Sequence, residues 1–219
     1  MQRKVIFAEK EFYHLYNRGV EKRKIFLDEK DRRRFLRLLY VANGTASFVY
    51  RDIQELPFVG IDRGEPLVAI GAYVLMPNHF HILVKEIRPG GISKFMEKLL
   101  TGYSSYFNKK YGRTGRLFEN SFQARHLDRD EYLKYTFSYI HLNPIKLIEP
   151  KWREWGIKNK SNACDYLDSY PFSSYMDYLE REREEKLILS RKQFPKYFLT
   201  PKSFKLLTTE WLAYKEHFT

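Results

Sequence analysis

The chain has 219 residues, of which 43% are hydrophobic and 17% aromatic, and its formal net charge is +12. This length and apolar content suffice for one folded domain with its own core. The single cysteine, Cys164, excludes an intramolecular disulfide and favours a reducing cytoplasm. Residues 1–10 do not resemble a signal peptide, and the longest apolar stretch, residues 67–76, is too short to span a bilayer. We therefore expect a cytoplasmic protein that makes no membrane contact.

Residues 12–18 are predicted to form a first strand, and Asp28 is predicted to cap a helix that extends to about residue 42. Prolines and glycines interrupt residues 43–66, which predicts a loop with one short strand. Residues 67–76 and 79–86 are apolar runs on either side of a Pro-Asn pair, and this pattern predicts an antiparallel hairpin.

Apolar residues at helical spacing predict a helix over residues 91–111, followed by a strand over 121–127. A further helix is predicted from Asp128 or Asp130 to Asn143, where Pro144 ends it. This order of elements predicts an α+β fold of the ferredoxin-like, split βαβ type, with one antiparallel sheet and helices on one face. We assign residues 1–150 to this domain and residues 151–219 to a helical, basic and aromatic extension packed on it.

The positive charge favours a polyanionic partner, because a field of this sign attracts polyanions. Nucleic acid is the polyanion that the abundant Phe and Tyr favour, since bases stack on aromatic rings while Lys and Arg contact phosphates. A basic protein with a merely solvated surface would have the same composition. Residues of two basic segments are candidate phosphate contacts, with plain solvation as an equally frequent alternative. They are Arg32, Arg33, Arg34, Arg37, Lys109, Lys110, Arg113 and Arg116.

His79 and His81 lie two residues apart on a predicted strand, so both imidazoles point to one face. Two imidazoles in fixed geometry provide half of a site for a divalent metal ion. The alternative is a histidine pair that packs on the sheet or contacts solvent, and two ligands alone favour it. The remaining histidines, His14 among them, are scattered and are interpreted as structural or DNA-contacting.

Tyr139 and Asn143 lie four residues apart and therefore share one face of the last predicted helix. A tyrosine hydroxyl can attack phosphorus when a metal ion polarises the phosphate, and an Asn oxygen can complete the metal site. An ordinary amphipathic tyrosine beside a helix-ending Asn is the alternative. Because the chain has 17 tyrosines, spacing alone does not select Tyr139.

Two long motifs resemble the IS200-like (Y1, HUH-type) tyrosine transposases: AYVLMPNHFHILV at residues 72–84 and GRLFENSFQARHLDRDEYLKYTFSYIHLNPIKLI at residues 115–148. YNRG at residues 16–19 and YPFSSY at residues 170–175 extend the resemblance. The resemblance as a whole covers most of residues 12–175. Within the family, the chain is more similar to the REP-associated tyrosine transposase branch than to the shortest insertion-sequence enzymes.

The resemblance implies an enzyme that cleaves and rejoins single-stranded DNA near hairpins through a 5′-phosphotyrosine intermediate. Tyr139 would be the nucleophile, on a helix near the open face of the sheet. His79, His81 and Asn143 would bind Mg²⁺ or Mn²⁺. No nucleotide cofactor is expected, because the covalent link conserves the phosphodiester energy. The resemblance implies a bacterial or archaeal protein associated with the nucleoid, and it leaves open whether the protein is a monomer or a homodimer.

Two alternatives remain open at this stage. One is a domesticated protein that binds hairpin DNA through the same fold without transposition activity. The other is an HUH replication initiator or relaxase, a class usually embedded in larger proteins with further domains. Residues 43–66 form a longer link than the family pattern has, and the residues after 178 match nothing in it.

Overall fold

The computed structural model describes residues 5–196 and 200–213. Its four strands form one antiparallel sheet in the order β2-β3-β1-β4. The strands are β1 (Phe12–Arg18), β2 (Val68–Met76), β3 (His79–Glu86) and β4 (Gln123–His126). Strands β1 and β2 are therefore parallel, with β3 between them. This is the split βαβ arrangement, and it confirms the predicted fold class.

Two helices, α1 (Glu29–Ala42) and α3 (Gly91–Lys110), cover one face of the sheet. Helix α1 begins with the predicted cap: the Asp28 side chain accepts a hydrogen bond from the Asp31 backbone, and the Asp31 side chain accepts one in return. The alternate β3 residues Phe80, Ile82 and Val84 are fully buried in the core beneath these helices. Because side chains alternate along a strand, the odd-numbered residues of β3 face the other way.

The other face of the sheet is covered over β2 by α4 (Asp130–Leu142) and by the C-terminal residues. Leu133, Phe137 and Ile140 of α4 are buried, as predicted, in a second core with Ala72 and Val74. The C-terminal helices are α5 (Trp152–Trp155), α6 (Lys160–Ser169), α7 (Tyr175–Tyr178) and α8 (Pro201–Ala213). Parts of the predicted extension, residues 197–199 and 214–219, lie outside the described residues.

The outer edge of β2 is paired by a segment from far along the chain. Val74 forms an isolated antiparallel bridge with Ser173. The Leu75 backbone N–H donates to the Phe172 carbonyl at 2.9 Å. Residues 172–174 thus pair with the outer edge of β2, and they hold the C-terminal region against the sheet.

The prediction of a strand within residues 43–66 was wrong. This segment forms a short helix, α2 (Tyr50–Ile53), and one 3₁₀ turn, Phe58–Gly60. Its backbone does not pair with a strand at α2, where the Ile53 carbonyl instead accepts a hydrogen bond from the Arg37 guanidinium at 3.0 Å. The Phe58 ring stacks on Tyr40 of α1 with centroids 4.8 Å apart, which anchors the segment beside that helix.

The predicted strand over residues 121–127 is confirmed in a shorter form, as β4. Among the described residues, no helix is long and apolar enough to cross a membrane.

Candidate active site

His79 and His81 lie on the face of β3 that points away from α1 and α3. Their ring centroids are 5.0 Å apart. His81 is 7% exposed, whereas His79 is only partly buried. The alternation of β3 therefore places both imidazoles on one face, as the sequence predicts.

Helix α4 brings Tyr139 to these histidines. The Tyr139 ring lies edge-on to His81, with centroids 5.3 Å apart. Asn143 follows one helical turn later and is fully buried, at the start of the 3₁₀ turn Asn143–Leu147. Tyr139 and His81, which were predicted from two separate motifs, thus lie together because α4 packs against β2 and β3.

A third histidine, His14, belongs to the same cluster, although the sequence did not single it out. Its Nε2 lies 2.9 Å from His81 Nδ1, a hydrogen-bonding distance within a buried setting. The two rings come from neighbouring strands, since β1 pairs with β3. The predicted split βαβ arrangement places β1 beside β3, and alternation along β1 then puts His14, Tyr16 and Arg18 on the histidine face. The strand order combined with this alternation was the signal that could have identified His14.

The side chains at this site fit a divalent metal ion. His81 Nε2 and both amide atoms of Asn143 are buried without a hydrogen-bond partner. Such unpaired atoms cost roughly 1–3 kcal/mol each, a cost that a bound ligand would remove. Among the described residues, no group of three or more His, Cys, Asp or Glu side chains could hold a metal ion. Asn143 has an amide oxygen, a type of ligand that hard divalent cations accept.

All three histidines are held in the neutral form at pH 7, which is the form that binds metals. Burial, together with Arg125, lowers the pKa of His14 to about 3. Burial, followed by Lys146 and Arg18, lowers the pKa of His79 to about 4. Burial lowers the pKa of His81 well below its usual value, and its neighbours His14 and His79 add to the effect.

These pKa values predict that the protein loses stability in mild acid. Burial also lowers the pKa of His141 on α4 to about 3. Below about pH 6.5, His14 and His141 become protonated in the unfolded chain but remain neutral in the folded protein. Each of the two should therefore reduce the free energy of unfolding by about 1.4 kcal/mol per pH unit as the pH falls from about 6 towards 4. Urea unfolding of the metal-free protein measures this slope, and equal stability at pH 7 and pH 5 would contradict the burial of neutral histidines.

Two cations lie close to the Tyr139 ring. Arg153, on α5, has its guanidinium carbon 5.1 Å from the ring centroid and donates to the Tyr135 hydroxyl at 3.0 Å. Lys146 has its ammonium nitrogen 5.7 Å from the same centroid. The Tyr135 ring stacks parallel to Tyr139 with centroids 6.1 Å apart. The nucleophile candidate therefore lies in a positively charged environment, which favours a phosphate beside it.

Beside the histidines, the sheet presents an open surface that neither α4 nor the C-terminal helices cover. We call Tyr16, Arg18, Gln123 and Arg125 the open sheet surface, because all four are exposed on the histidine side of β1 and β4. Tyr16 is 37% exposed, and its ring centroid lies 5.8 Å from that of His81. An exposed aromatic ring flanked by two arginines has the composition of a surface that binds single-stranded nucleic acid.

The predicted phosphate contacts on α1 lie on the opposite side of the sheet from the histidines. Three of them have partners within the protein: Arg32 lies over the Phe172 ring at 5.0 Å, Arg34 lies over Tyr50, and Arg37 donates to backbone carbonyls. Arg33 is exposed and pairs with Glu29. The structure does not bring this group to the histidine face, and its role in binding phosphates stays a prediction.

Among the predicted phosphate contacts at and after the end of α3, two have partners within the protein and two are exposed. Lys110 bridges Asp28 and Asp31 at 2.8 and 2.7 Å, and Arg113 donates to the Asn108 side chain at 3.1 Å. Lys109 and Arg116 are exposed. Their role in binding phosphates also stays a prediction. The basic residues that do surround the histidines are ones that the sequence did not select, namely Arg18, Arg125, Lys146 and Arg153.

Residues 65–143 match the family model described as IS200-like transposase, which confirms the resemblance seen in the sequence. Among solved structures, the chain is similar to a REP-associated tyrosine transposase bound to a REP hairpin, with a TM-score of 0.52 and 14% identity over 84% of this chain and 90% of that one. That likeness shows the fold. A tRNA(His) guanylyltransferase from Saccharomyces cerevisiae matches at a TM-score of 0.36 and 9% identity, over 90% of this chain and 86% of that one, which is too weak to support an argument. The comparison with curated proteins gives no match.

Proposed function

We propose that this chain, which matches the IS200-like transposase family over residues 65–143, is a metal-dependent tyrosine transposase that cleaves and rejoins single-stranded DNA. In this proposal Tyr139 is the nucleophile, and His79, His81 and Asn143 hold Mg²⁺ or Mn²⁺. The observation that carries the proposal is the convergence of the Tyr139 ring with a histidine pair whose His81 Nε2 is buried and unpartnered. A purely structural histidine pair would be expected to satisfy that nitrogen.

The proposed reaction is an in-line displacement at phosphorus. The Tyr139 oxygen forms a bond to the phosphorus, and the bond from phosphorus to the 3′ oxygen breaks. In the net reaction the phenolic proton ends on that 3′ oxygen. The products are a 5′-phosphotyrosine and a free 3′-hydroxyl. When bound, the metal ion would supply charge stabilisation at the non-bridging phosphate oxygens.

The chain's own residues provide positioning and charge. Packing of α4 on β2 and β3 holds the Tyr139 ring beside His81. In this proposal the fixed position converts an encounter with the phosphate into an oriented attack. Arg153 and Lys146, beside the Tyr139 ring, are placed to attract the scissile phosphate. Attack by a 3′-hydroxyl on the phosphotyrosine reverses the displacement and joins DNA at a new junction, so no nucleotide cofactor is needed.

We propose that the DNA partner is a single strand with hairpin structure, and that the single-stranded part follows the open sheet surface. Tyr16 would stack on a base while Arg18 and Arg125 contact the flanking phosphates. The solved relative bound to a REP hairpin supports this choice of partner. Tyr139 contacts histidines of its own chain, which favours cleavage by a single copy.

The direct test of this function is a denaturing gel of the protein mixed with labelled, hairpin-bearing single strands. The oligonucleotides should be taken from the DNA that flanks the gene. With Mg²⁺ or Mn²⁺ we expect a covalent protein–DNA band, and with EDTA we expect none. Salt-sensitive binding without any covalent band, over all flanking sequences, would instead identify a DNA-binding protein of the same fold without transposition activity.

The proposed DNA path also predicts how salt affects binding. Because phosphate contacts release counterions, binding of single strands should weaken steeply between about 50 and 200 mM salt. Arg18→Gln and Arg125→Gln should each make the slope of log K against log[salt] shallower by about 0.7. Fluorescence anisotropy in EDTA measures the slopes, with Lys30→Gln on α1 as a charge-matched control. The same measurement on Arg33→Gln tests a predicted contact on α1. Unchanged slopes in both open-surface variants would exclude the proposed path.

A further inference from the structure

Each of the two histidines of the proposed metal site has a hydrogen-bonding partner at its Nδ1 atom. His79 Nδ1 lies 2.6 Å from Asn78 Oδ1. His81 Nδ1 lies 2.9 Å from His14 Nε2. An imidazole binds a metal ion only through a nitrogen that carries no proton, so the residue bonded to the other nitrogen decides which tautomer is present.

The orientation of the Asn78 amide fixes the His79 tautomer. Asn78 Nδ2 donates to the Lys22 carbonyl at 3.1 Å, which turns the amide oxygen towards His79. An amide oxygen can only accept a hydrogen bond, so His79 Nδ1 must carry the proton. His79 Nε2 is then left with its lone pair.

The pair formed by His14 and His81 allows two arrangements, which differ at His81 Nε2. If His14 Nε2 donates, the proton of His81 lies on Nε2, which is buried and has no acceptor. A buried donor without an acceptor is costly. If His81 Nδ1 donates instead, His14 accepts, and His81 Nε2 presents a lone pair. The second arrangement avoids the orphaned donor and is the one that a metal ligand requires.

We infer that Asn78 and His14 are positioning residues that hold His79 and His81 as Nδ1–H tautomers and leave Nε2 of both rings available to a metal ion. This inference rests on the proposed function. Outer partners of this kind commonly alter metal affinity by about 10- to 100-fold when they are replaced. Here the partner of His79 is the amide of Asn78, its neighbour along the chain. The partner of His81 is the imidazole of His14, on the neighbouring strand.

The test is a titration of the DNA-free protein with Mn²⁺, followed by electron paramagnetic resonance. His14→Leu and Asn78→Leu should each weaken Mn²⁺ binding by about 10- to 100-fold. His14→Gln keeps an acceptor for His81 Nδ1 and should retain most of the affinity. His126→Leu is the matched control, since His126 lies on the same sheet with its ring against Tyr13 on the opposite face. Binding of single-stranded DNA in EDTA should be the same in all four variants, which checks that they are folded.

Nitrogen-15 NMR of the metal-free wild-type protein reads the tautomers directly and needs no variant. We expect the proton on Nδ1 of both His79 and His81. A proton on Nε2 of His81, or undiminished Mn²⁺ affinity in both leucine variants, would overturn the inference and leave the proposed function standing. A wild-type protein that binds no Mn²⁺ would overturn the proposed metal site itself, and the inference with it.

Discussion

The Tyr139→Phe variant should form no detectable covalent adduct with DNA. A loss on the order of 10⁴-fold or more in the single-turnover rate is expected, as when other enzymes lose their nucleophile. The substitution removes only the hydroxyl, and the ring that contacts His14, His81 and Tyr135 remains. Binding of single strands and the free energy of unfolding should therefore change little. Denaturing gels measure the adduct, and fluorescence anisotropy in EDTA measures the binding.

Tyr132→Phe is the matched control for this experiment. Tyr132 lies two turns earlier on α4, where its ring contacts Arg125 and Arg129, and the substitution keeps that ring. We expect it to form adduct at nearly the wild-type rate. An adduct that persists in Tyr139→Phe would contradict the assignment of the nucleophile, and peptide mapping of that adduct would identify the tyrosine that forms it.

Replacing Asn143 by leucine should stabilise the protein while it impairs cleavage. Both amide atoms of Asn143 are buried and unpartnered, so an apolar side chain of similar size removes a desolvation cost of about 1–3 kcal/mol. If the amide oxygen is a metal ligand, metal-dependent adduct formation should fall by about 100-fold, in the range seen for losing one group that stabilises the transition state. Urea unfolding without metal measures the stability, and single-turnover gels with Mn²⁺ measure the rate.

The opposite outcome is expected for Asn159→Leu. Asn159 caps α6, where its side chain accepts a hydrogen bond from the Asn162 backbone at 3.0 Å. Its replacement should cost about 1 kcal/mol and leave cleavage unchanged. A stable but fully active Asn143→Leu would remove Asn143 from the proposed metal site. A strongly destabilised one would indicate that its amide has a partner within the protein.

Local periodicity was enough to predict the parts of the candidate site that lie on a single element. The two-residue spacing of His79 and His81 predicts that they share one face of a strand. The four-residue spacing of Tyr139 and Asn143 predicts that they share one face of a helix. The Asp28 cap and the buried face of α4 also follow from local pattern. These features depend on backbone geometry alone, which a short stretch of sequence determines.

Features that require two elements to be placed side by side could not be predicted in this way. The pairing of His14 with His81 depends on β1 lying next to β3, which the predicted fold class implies but the spacing of residues within either strand does not. Arg153 lies beside Tyr139 because α5 folds back towards α4, and its sequence neighbourhood gives no sign of this. The cluster of arginines on α1 was evident from the sequence. The sequence did not show which face of the sheet α1 covers.

The pairing of residues 172–174 with β2 has a consequence for the order in which the chain becomes folded during synthesis. The edge of β2 has no pairing partner until residues about a hundred positions later have left the ribosome. An uncovered strand edge is a template on which other chains can pair. A fragment that ends near residue 150 would keep His79, His81, Tyr139 and Asn143 but expose this edge, so we expect it to aggregate rather than act as a minimal nuclease. The sheet that carries His79 and His81 is thus completed at its edge by residues outside the proposed site.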